Sequence, residues 1–250
     1  MPANYARFLV GRRRSVQANR QLGFALAFVA GAINAGGFLA VRQYTSHVTG
    51  MLSSLADNIV LDQMSLVASA LVAVSAFLLG AACCAVMVNV ARRHQLASEY
   101  ALPLLLEALL VLCFGLLGPW LAHFKSWLVP LAVILLCFIM GLQNAVVTKL
   151  SNAVIRTTHM TGVVTDLGIE LGKLMVWNRS AASGETPVIA DRGRIAVLAG
   201  LLLAFVGGGT AGAYGFKAVG YGFTVPIAVV LALLALVPML DDLQQRNSDR

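Results

Sequence analysis

Two short polar stretches interrupt the apolar runs of this chain and carry residue types that could do chemistry. TSHVTG occupies positions 45–50 and TTHMTG occupies positions 157–162. Each contains a histidine, a side chain that titrates near neutral pH, and several small hydroxylated residues. Ser and Thr cap helix N-termini, where free N–H groups and about half a positive charge attract anions. Each stretch therefore predicts a short helix whose N-terminus favours an anion or the negative end of a zwitterion.

An asparagine precedes each polar stretch, inside an apolar run. GAINA (31–35) contains Asn34, and GLQNA (141–145) contains Asn144. An amide in hydrocarbon needs hydrogen-bond partners, and interhelical bonds of this kind are worth about 0.6–2 kcal/mol. Two interpretations stay open for these residues, namely clips between helices or the lining of a central ligand site. The predicted substrate-binding residues are Asn34, His47, Thr49, Gly50, Asn144, His159, Thr161 and Gly162.

Two acidic residues are candidates for a proton relay. Glu107 lies inside an apolar run, where a carboxylate costs several kcal/mol unless it is paired or protonated. The alternative is that Glu107 is shallow enough to reach the cytoplasmic headgroups. Asp166 is the acid closest to the second Thr-Gly turn, and its alternative is a wetted helix face shared with Glu170. No catalytic triad, zinc motif or cofactor fingerprint occurs, so we expect no enzyme, no metal and no cofactor.

Composition places the chain in the membrane class. Of its 250 residues, 59% are hydrophobic and 12% are charged, with a mean hydropathy of +0.82. A soluble domain has about 25% charged and 45–50% apolar residues, so this excess cannot be hidden in a soluble core. The net charge of +7 comes from basic residues in the short gaps between apolar runs. That distribution indicates membrane topology and argues against a nucleic-acid partner.

Six apolar stretches are long enough to cross a bilayer as helices. They are 21–41, 64–91, 101–122, 127–148, 195–214 and 222–240. With a cytoplasmic N-terminus, only three of the 18 basic residues fall outside, so both termini are predicted to be cytoplasmic. If the polar stretches also crossed, Arg92 and Arg93 would face outward. We therefore expect each polar stretch to form a short re-entrant or interfacial helix.

The chain repeats itself. GAINA matches GLQNA 110 positions later, AFLLGAA (76–82) resembles AFVGGGT (204–210), and LPLLLEALLVL (102–112) resembles VPIAVVLALLAL (225–236). The predicted domains are a basic segment 1–20, repeat 1 at 21–122, repeat 2 at 123–240 and a cytoplasmic tail at 241–250. Three spans per repeat is an odd number, so the repeats are inverted. The predicted fold is all-α, with six transmembrane helices as two inverted three-helix repeats.

A family resemblance is carried by the same motifs. The blocks GAINA…TSHVTG and GLQNA…TTHMTG resemble the paired signatures of the YoaK family, bacterial inner-membrane proteins of unassigned function, over roughly 21–240. That family usually has Asn after TG and often has Asp at the first asparagine position. This chain has Met51, Val163 and Asn34 there. The resemblance implies a multi-pass protein of the bacterial inner membrane.

Inverted repeats with interrupted helices are typical of secondary transporters, with the ligand site near the midplane. The sequence therefore favours a transporter of a small anionic or zwitterionic molecule, with the polar breaks meeting deep in the bilayer. Small residues in GGGTAGAYG (207–215) suit tight helix packing within the bundle or in a homodimer. Two alternatives remain: a non-transporting scaffold or sensor whose motifs are structural, and a passive channel.

Overall fold

The computed structural model describes residues 16–96, 99–121, 123–150, 157–176 and 188–248. Within these ranges the chain is helical and contains no strand. A 3₁₀ turn at Gly220–Phe223 joins the last two helices. The α-helices are α1 Val16–Val41, α2 Val48–Val60, α3 Met64–Arg93, α4 Ala101–Leu121, α5 Lys125–Leu150, α6 Met160–Met175, α7 Arg192–Val219 and α8 Thr224–Ser248.

The predicted helices correspond to observed ones, and the two polar stretches form the short helices α2 and α6. Among the described residues, five stretches are long and apolar enough to cross a membrane, which indicates a multi-pass membrane protein. Most of the predicted basic segment 1–20 lies outside the described residues, as does the end of the predicted tail. The five stretches are Asn19–Val41, Met64–Arg93, Ala101–Leu121, Ser126–Leu150 and Arg192–Leu236.

The last of these stretches has 45 residues and contains two helices, because the chain reverses at Gly220. This residue has φ +60°, a conformation that favours glycine. After the turn, the ring of Phe223 returns to pack edge-on against Phe216, with ring centroids 5.6 Å apart. Tyr221 packs edge-on against Phe114 of α4 at 5.7 Å. The turn therefore directs α8 away from α7 and onto α4.

Two pairs of helices pack in parallel, each across the two halves of the chain. On α1 and α7, Phe24 contacts Gly200, Phe28 contacts Gly208, and Ala32 contacts Gly212, so residue numbers rise together. The small residues of GGGTAGAYG are thus used inside the bundle. At Gly208 and Gly212 the two backbones touch, because a Cβ at Gly208 would collide with the carbonyl oxygen of Phe28 and one at Gly212 with that of Ala32.

The second parallel pair is α3 and α5, where Phe77 meets Gly141 and Lys149 donates to Asn89, so residue numbers again rise together. A Cβ at Gly80 would collide with the carbonyl oxygen of Phe138, and a Cβ at Gly141 would collide with that of Phe77. Close approach of backbones through glycine gives helices dispersion contacts where lipid supplies no hydrophobic drive. The two helices can therefore pack this closely only because Gly80 and Gly141 have no side chain.

Other contacts close the bundle. α4 and α8 are antiparallel: Tyr221 in the 3₁₀ turn meets Gly118 near the end of α4, Thr224 at the start of α8 meets Gly115, and α8 then packs back along α4. Each short helix packs on the long helix that follows it, α2 on α3 and α6 on α7. The apolar core at the centre is formed mainly by α1, α4, α5 and α8.

Candidate functional site

Each polar motif is tied to the asparagine of its own half. Ser46 Oγ donates a hydrogen bond to Asn34 Oδ1 at 3.1 Å, and Thr158 Oγ1 donates to Asn144 Oδ1 at 2.5 Å. Asn144 Nδ2 also donates to the carbonyl oxygen of Met140, one turn earlier. The two halves thus repeat the same contact, with Ser in one and Thr in the other.

These bonds require the chain to fold back along the helix it has just left. α1 ends at Val41, seven residues beyond Asn34, yet Ser46 reaches Asn34. Seven residues of α-helix span about 10 Å. The segment between α1 and α2 therefore returns by about two turns before α2 begins. In the second half, Thr158 likewise reaches Asn144, which lies six residues before the end of α5 at Leu150.

The starts of α2 and α6 approach the middle of the bundle from its opposite ends. α1 and α5 are antiparallel, because Gly37 contacts Leu136 while the carbonyl oxygen of Leu26 accepts from Gln143. In that register, Gly31 and Gly141 lie at the same height along the bundle axis. Asn34 and Asn144 each follow by three residues, or about 5 Å, in opposite directions.

The histidines lie at the first residue before each short helix. His47 precedes α2 and His159 precedes α6, and neither caps its helix through a side-chain hydrogen bond. Each imidazole instead lies over a glycine of its own motif, where a Cβ at Gly50 or Gly162 would come within 2.5 or 2.6 Å of Nδ1. Each glycine therefore makes room for the imidazole of its own motif. From the sequence alone, the glycines fitted either a sharp turn or close packing.

The motif threonines divide into buried and exposed pairs. Thr45 and Thr157, two residues before the histidines, are fully buried, and their hydroxyls have no hydrogen-bond partner in the part of the chain that is described. Thr49 and Thr161, two residues after the histidines, are exposed on the first turns of α2 and α6. The structure therefore adds Thr45, Ser46, Thr157 and Thr158 to the predicted residues. The signal was present, since both positions are hydroxylated in both motifs.

Asp166 lies on α6, one turn after Gly162, and belongs to an ion-pair cluster between α6 and α7. Its Oδ2 accepts from Arg194 at 3.0 Å. Glu170, one turn on and almost fully buried, pairs with Lys173 at 2.8 Å and lies 3.6 Å from Arg194. It also accepts from the backbone N–H of Asp191. The Lys173 hydrogen bond, followed by that backbone N–H, lowers the pKa of Glu170.

Two further polar residues lie in the core of the bundle. Glu107 on α4 and Gln143 on α5 are both fully buried. Gln143 donates to the carbonyl oxygen of Leu26, which joins α5 to α1. Sequence reasoning missed Gln143 because its counterpart in the first half is the apolar Ile33. Among the residues described, no group of three His, Cys, Asp or Glu side chains could hold a metal ion.

A family model described as "Protein of unknown function (DUF1275)" matches residues 22–237, which is most of the chain. The chain belongs to the DUF1275 family. The match extends from α1 into α8 and so contains both motifs of this DUF1275 protein. The narrower resemblance to the YoaK family stays a prediction. No curated protein and no solved structure matches the chain.

Proposed function

We propose that this DUF1275 protein is a secondary transporter built from two inverted three-span repeats, with its ligand site between them. The observation that carries the proposal is the matched pair of hydrogen bonds, Ser46 to Asn34 and Thr158 to Asn144. They draw two short helices toward one level of the bundle from opposite ends. Interrupted helices that meet at the middle are the arrangement used for substrate sites in transporters of this kind.

The packing of the long helices supports the inverted repeat. A shift of 110 positions takes Gly31 to Gly141, and a shift of 128 takes Phe77 to Phe205. The contacts follow the same shifts, because a Cβ at Gly141 collides with the carbonyl oxygen of Phe77 while one at Gly31 collides with that of Phe205. The α3–α5 pair and the α1–α7 pair are thus copies of one packing.

The directions of the helices support six crossings. With alternating crossings, α1 and α7 run one way together, α3 and α5 run the other way, and α4 opposes α8. The glycine contacts of α1 with α7 and of α4 with α8 agree with these directions, and the hydrogen bond from Lys149 to Asn89 agrees for α3 and α5. The stretch Arg192–Leu236 accordingly crosses twice, once on each side of the turn at Gly220. The excess of Lys and Arg in the predicted inner loops supports a topology with both termini in the cytoplasm.

The heights of the short helices favour a re-entrant path over an interfacial one. Phe77 is level with Gly141, and α3 starts at Met64, thirteen residues earlier, or about 20 Å away. α2 therefore begins about 5 Å from the middle, beside Asn34, and ends near the start of α3. A helix lying at the interface would not begin that deep. In the second half, Phe205 is level with Gly31 and α7 starts at Arg192, also thirteen residues earlier, so α6 begins at a similar depth.

The ligand class follows from the groups at these two helix starts. Both N-termini point toward the middle level and carry partial positive charge, and no acidic residue lies within either motif. The buried hydroxyls of Thr45 and Thr157 add two more groups that can donate. A small anion or zwitterion is the ligand that such a set of donors fits.

The direct test is uptake by purified protein in proteoliposomes, with radiolabelled glycine and succinate as zwitterionic and anionic probes. We expect saturable counterflow of at least one probe. Ser46→Ala combined with Thr158→Val should reduce it at least about tenfold, because both helix starts lose their anchor. Ser69→Ala with Thr210→Val is the matched control, since it removes the same hydroxyls from exposed sites on α3 and α7.

Three results would count against the proposal, and two of them would favour an alternative function. Flux that rises linearly with probe concentration would indicate a channel. Unchanged counterflow in the Ser46/Thr158 variant would show that the site assignment is wrong even if transport is real. Loss of folding in that variant, together with no flux in the wild type, would favour a scaffold.

A further inference from the structure

A buried acid on α4 has no place in the ligand site described above. Glu107 is 0% exposed, and neither oxygen of its carboxyl group has a hydrogen-bond partner among the described residues. It therefore does not reach the cytoplasmic headgroups, the alternative that its sequence position allowed. A buried polar group without a partner is costly and usually marks function.

The depth of Glu107 follows from how α4 packs on α8. Gly115 meets Thr224 and Gly118 meets Tyr221, so partner numbers fall as α4 rises. Extending that register places Glu107 opposite position 232. In an inverted repeat, a residue at the midplane lies opposite its own repeat counterpart, which for Glu107 is Val230, only two residues away from 232. Two residues correspond to about 3 Å. Under the inverted-repeat architecture of the proposed function, on which this inference rests, Glu107 lies close to the membrane midplane.

The helices around α4 supply no described group that would neutralise an ionised Glu107. Cys84 on α3 is a neighbour of both Glu107 and Lys149. Lys149, on α5, donates to Asn89 instead. The part of α8 at 224–236 has no titratable residue. The other titratable groups on elements packed against α4 are Arg20 on α1, Cys83, Arg92 and Arg93 on α3, Lys125 and Cys137 on α5, Tyr221 in the 3₁₀ turn, and Asp241, Asp242 and Arg246 in the last turns of α8.

The chemistry of this site selects a proton. An ionised carboxylate without partners costs several kcal/mol at the bilayer centre, whereas the neutral acid does not carry that cost. A metal cation needs several oxygen ligands, and Glu107 is flanked on its own helix by the buried apolar side chains of Leu104, Ala108 and Val111. A proton needs only one oxygen. We propose that Glu107 holds a proton at neutral pH and is the group that couples transport to proton movement.

The proton site is single. Val230 stands at the matching position of the second repeat, so the pseudo-symmetry that doubles the ligand motifs does not double the acid. One proton per chain binds as Glu107 accepts it and leaves as the O–H bond breaks and water takes the proton. Water reaches the carboxyl only when the two repeats separate around α4 and α8.

Infrared spectra of the protein in lipid test the proton site without any substrate. At pH 7 we expect a carbonyl stretching band from a protonated carboxyl in an apolar site, and we expect Glu107→Gln to lose it. Glu99→Gln is the matched control, because Glu99 is ion-paired with Arg92 and should contribute no such band. Spectra of wild type and Glu107→Gln that coincide in this region at pH 7 would overturn the proposal. Gln is neutral and nearly isosteric, so the variant should fold.

Proton coupling is then read from proteoliposomes that contain a pH-sensitive dye. On addition of glycine or succinate, the wild type should acidify the interior. Glu107→Gln should not, while it still exchanges labelled probe across the membrane. Acidification by Glu107→Gln equal to that of the wild type would rule out the coupling role. If the wild type moves neither probe, the proposed transport function fails, and the infrared result still decides whether Glu107 holds a proton.

Discussion

The two short helices share one packing arrangement but differ in chemistry. On α2, the buried Asn58 donates through Nδ2 to the carbonyl oxygen and the hydroxyl of Ser54 on the same helix. At the position 112 residues later, α6 has Glu170, which contacts both Lys173 and Arg194. The first contact is neutral and local. The second is ionic and joins α6 to α7.

This difference shows which features the architecture requires of each half. Glycines at the backbone contacts, asparagines in the first spans and hydroxyls before the short helices are present twice. The ion pairs with Lys173 and Arg194 are found on α6 and have no counterpart among the described contacts of α2. We infer that the frame is held by close backbone packing and that the ion pairs add a separate hold on α6. Under the proposed topology, that hold acts on the cytoplasmic side only.

The largest effect should come from the shared frame. Gly31→Val and Gly141→Val each drive a side chain into a backbone carbonyl oxygen, of Phe205 and Phe77 respectively, which cannot move without its helix. We expect each to cost at least about 3 kcal/mol, measured by chemical unfolding in detergent. Gly207→Val is the control, because a Cβ there meets nothing within 4 Å. Unequal losses for the two twin glycines would break the comparison of the halves.

The next effect should appear in the second half alone. Arg194→Met removes a cation near the buried Glu170 and the partner of Asp166, so the melting temperature should fall clearly. The matching position in the first half is Leu66, which is exposed, and Leu66→Met should leave the melting temperature unchanged. Equal shifts in the two variants would mean that the ion pairs do not hold α6.

A pH effect should also distinguish the two short helices. The Lys173 hydrogen bond holds the pKa of Glu170 below its usual value of about 4.3. The stabilisation is therefore complete above about pH 4.3 and is lost as the pH falls through the lowered value. Amide hydrogen exchange, corrected for its intrinsic pH dependence, should rise in α6 over that range and stay level in α2. Parallel rises in both helices would contradict this assignment.

The smallest effect concerns the exposed ion pair. Asp166 and Arg194 have side chains that are 43% and 52% exposed, so their attraction is screened by water and salt. Asp166→Asn should cost about 0–1 kcal/mol, and the loss should shrink further in high salt. A loss as large as that of Arg194→Met, and equally large in high salt, would place Asp166 in a structural or relay role beyond this pair.

The helices themselves could be predicted from the sequence, because an apolar run of about 20 residues can cross a bilayer only as a helix. The short helices at α2 and α6 were predicted from their polar starts. The sequence left open whether they are re-entrant or interfacial, because that depends on Ser46 returning to Asn34 across the end of α1. Glu107 was noticed as a charge in an apolar run, but its full burial depends on helices packed around α4. Arg194 was missed as a partner of Asp166, because the two are 28 positions apart.

The sequence by itself determined the membrane class, the helical secondary structure and the twin motifs, because each follows from local composition and from likeness between segments. Only the tertiary structure decided which helices pair, that α2 and α6 begin at the levels of Asn34 and Asn144, and that Glu107 is enclosed without a partner. These are contacts between residues far apart in the chain, and a hydropathy pattern contains no information about which apolar surfaces meet.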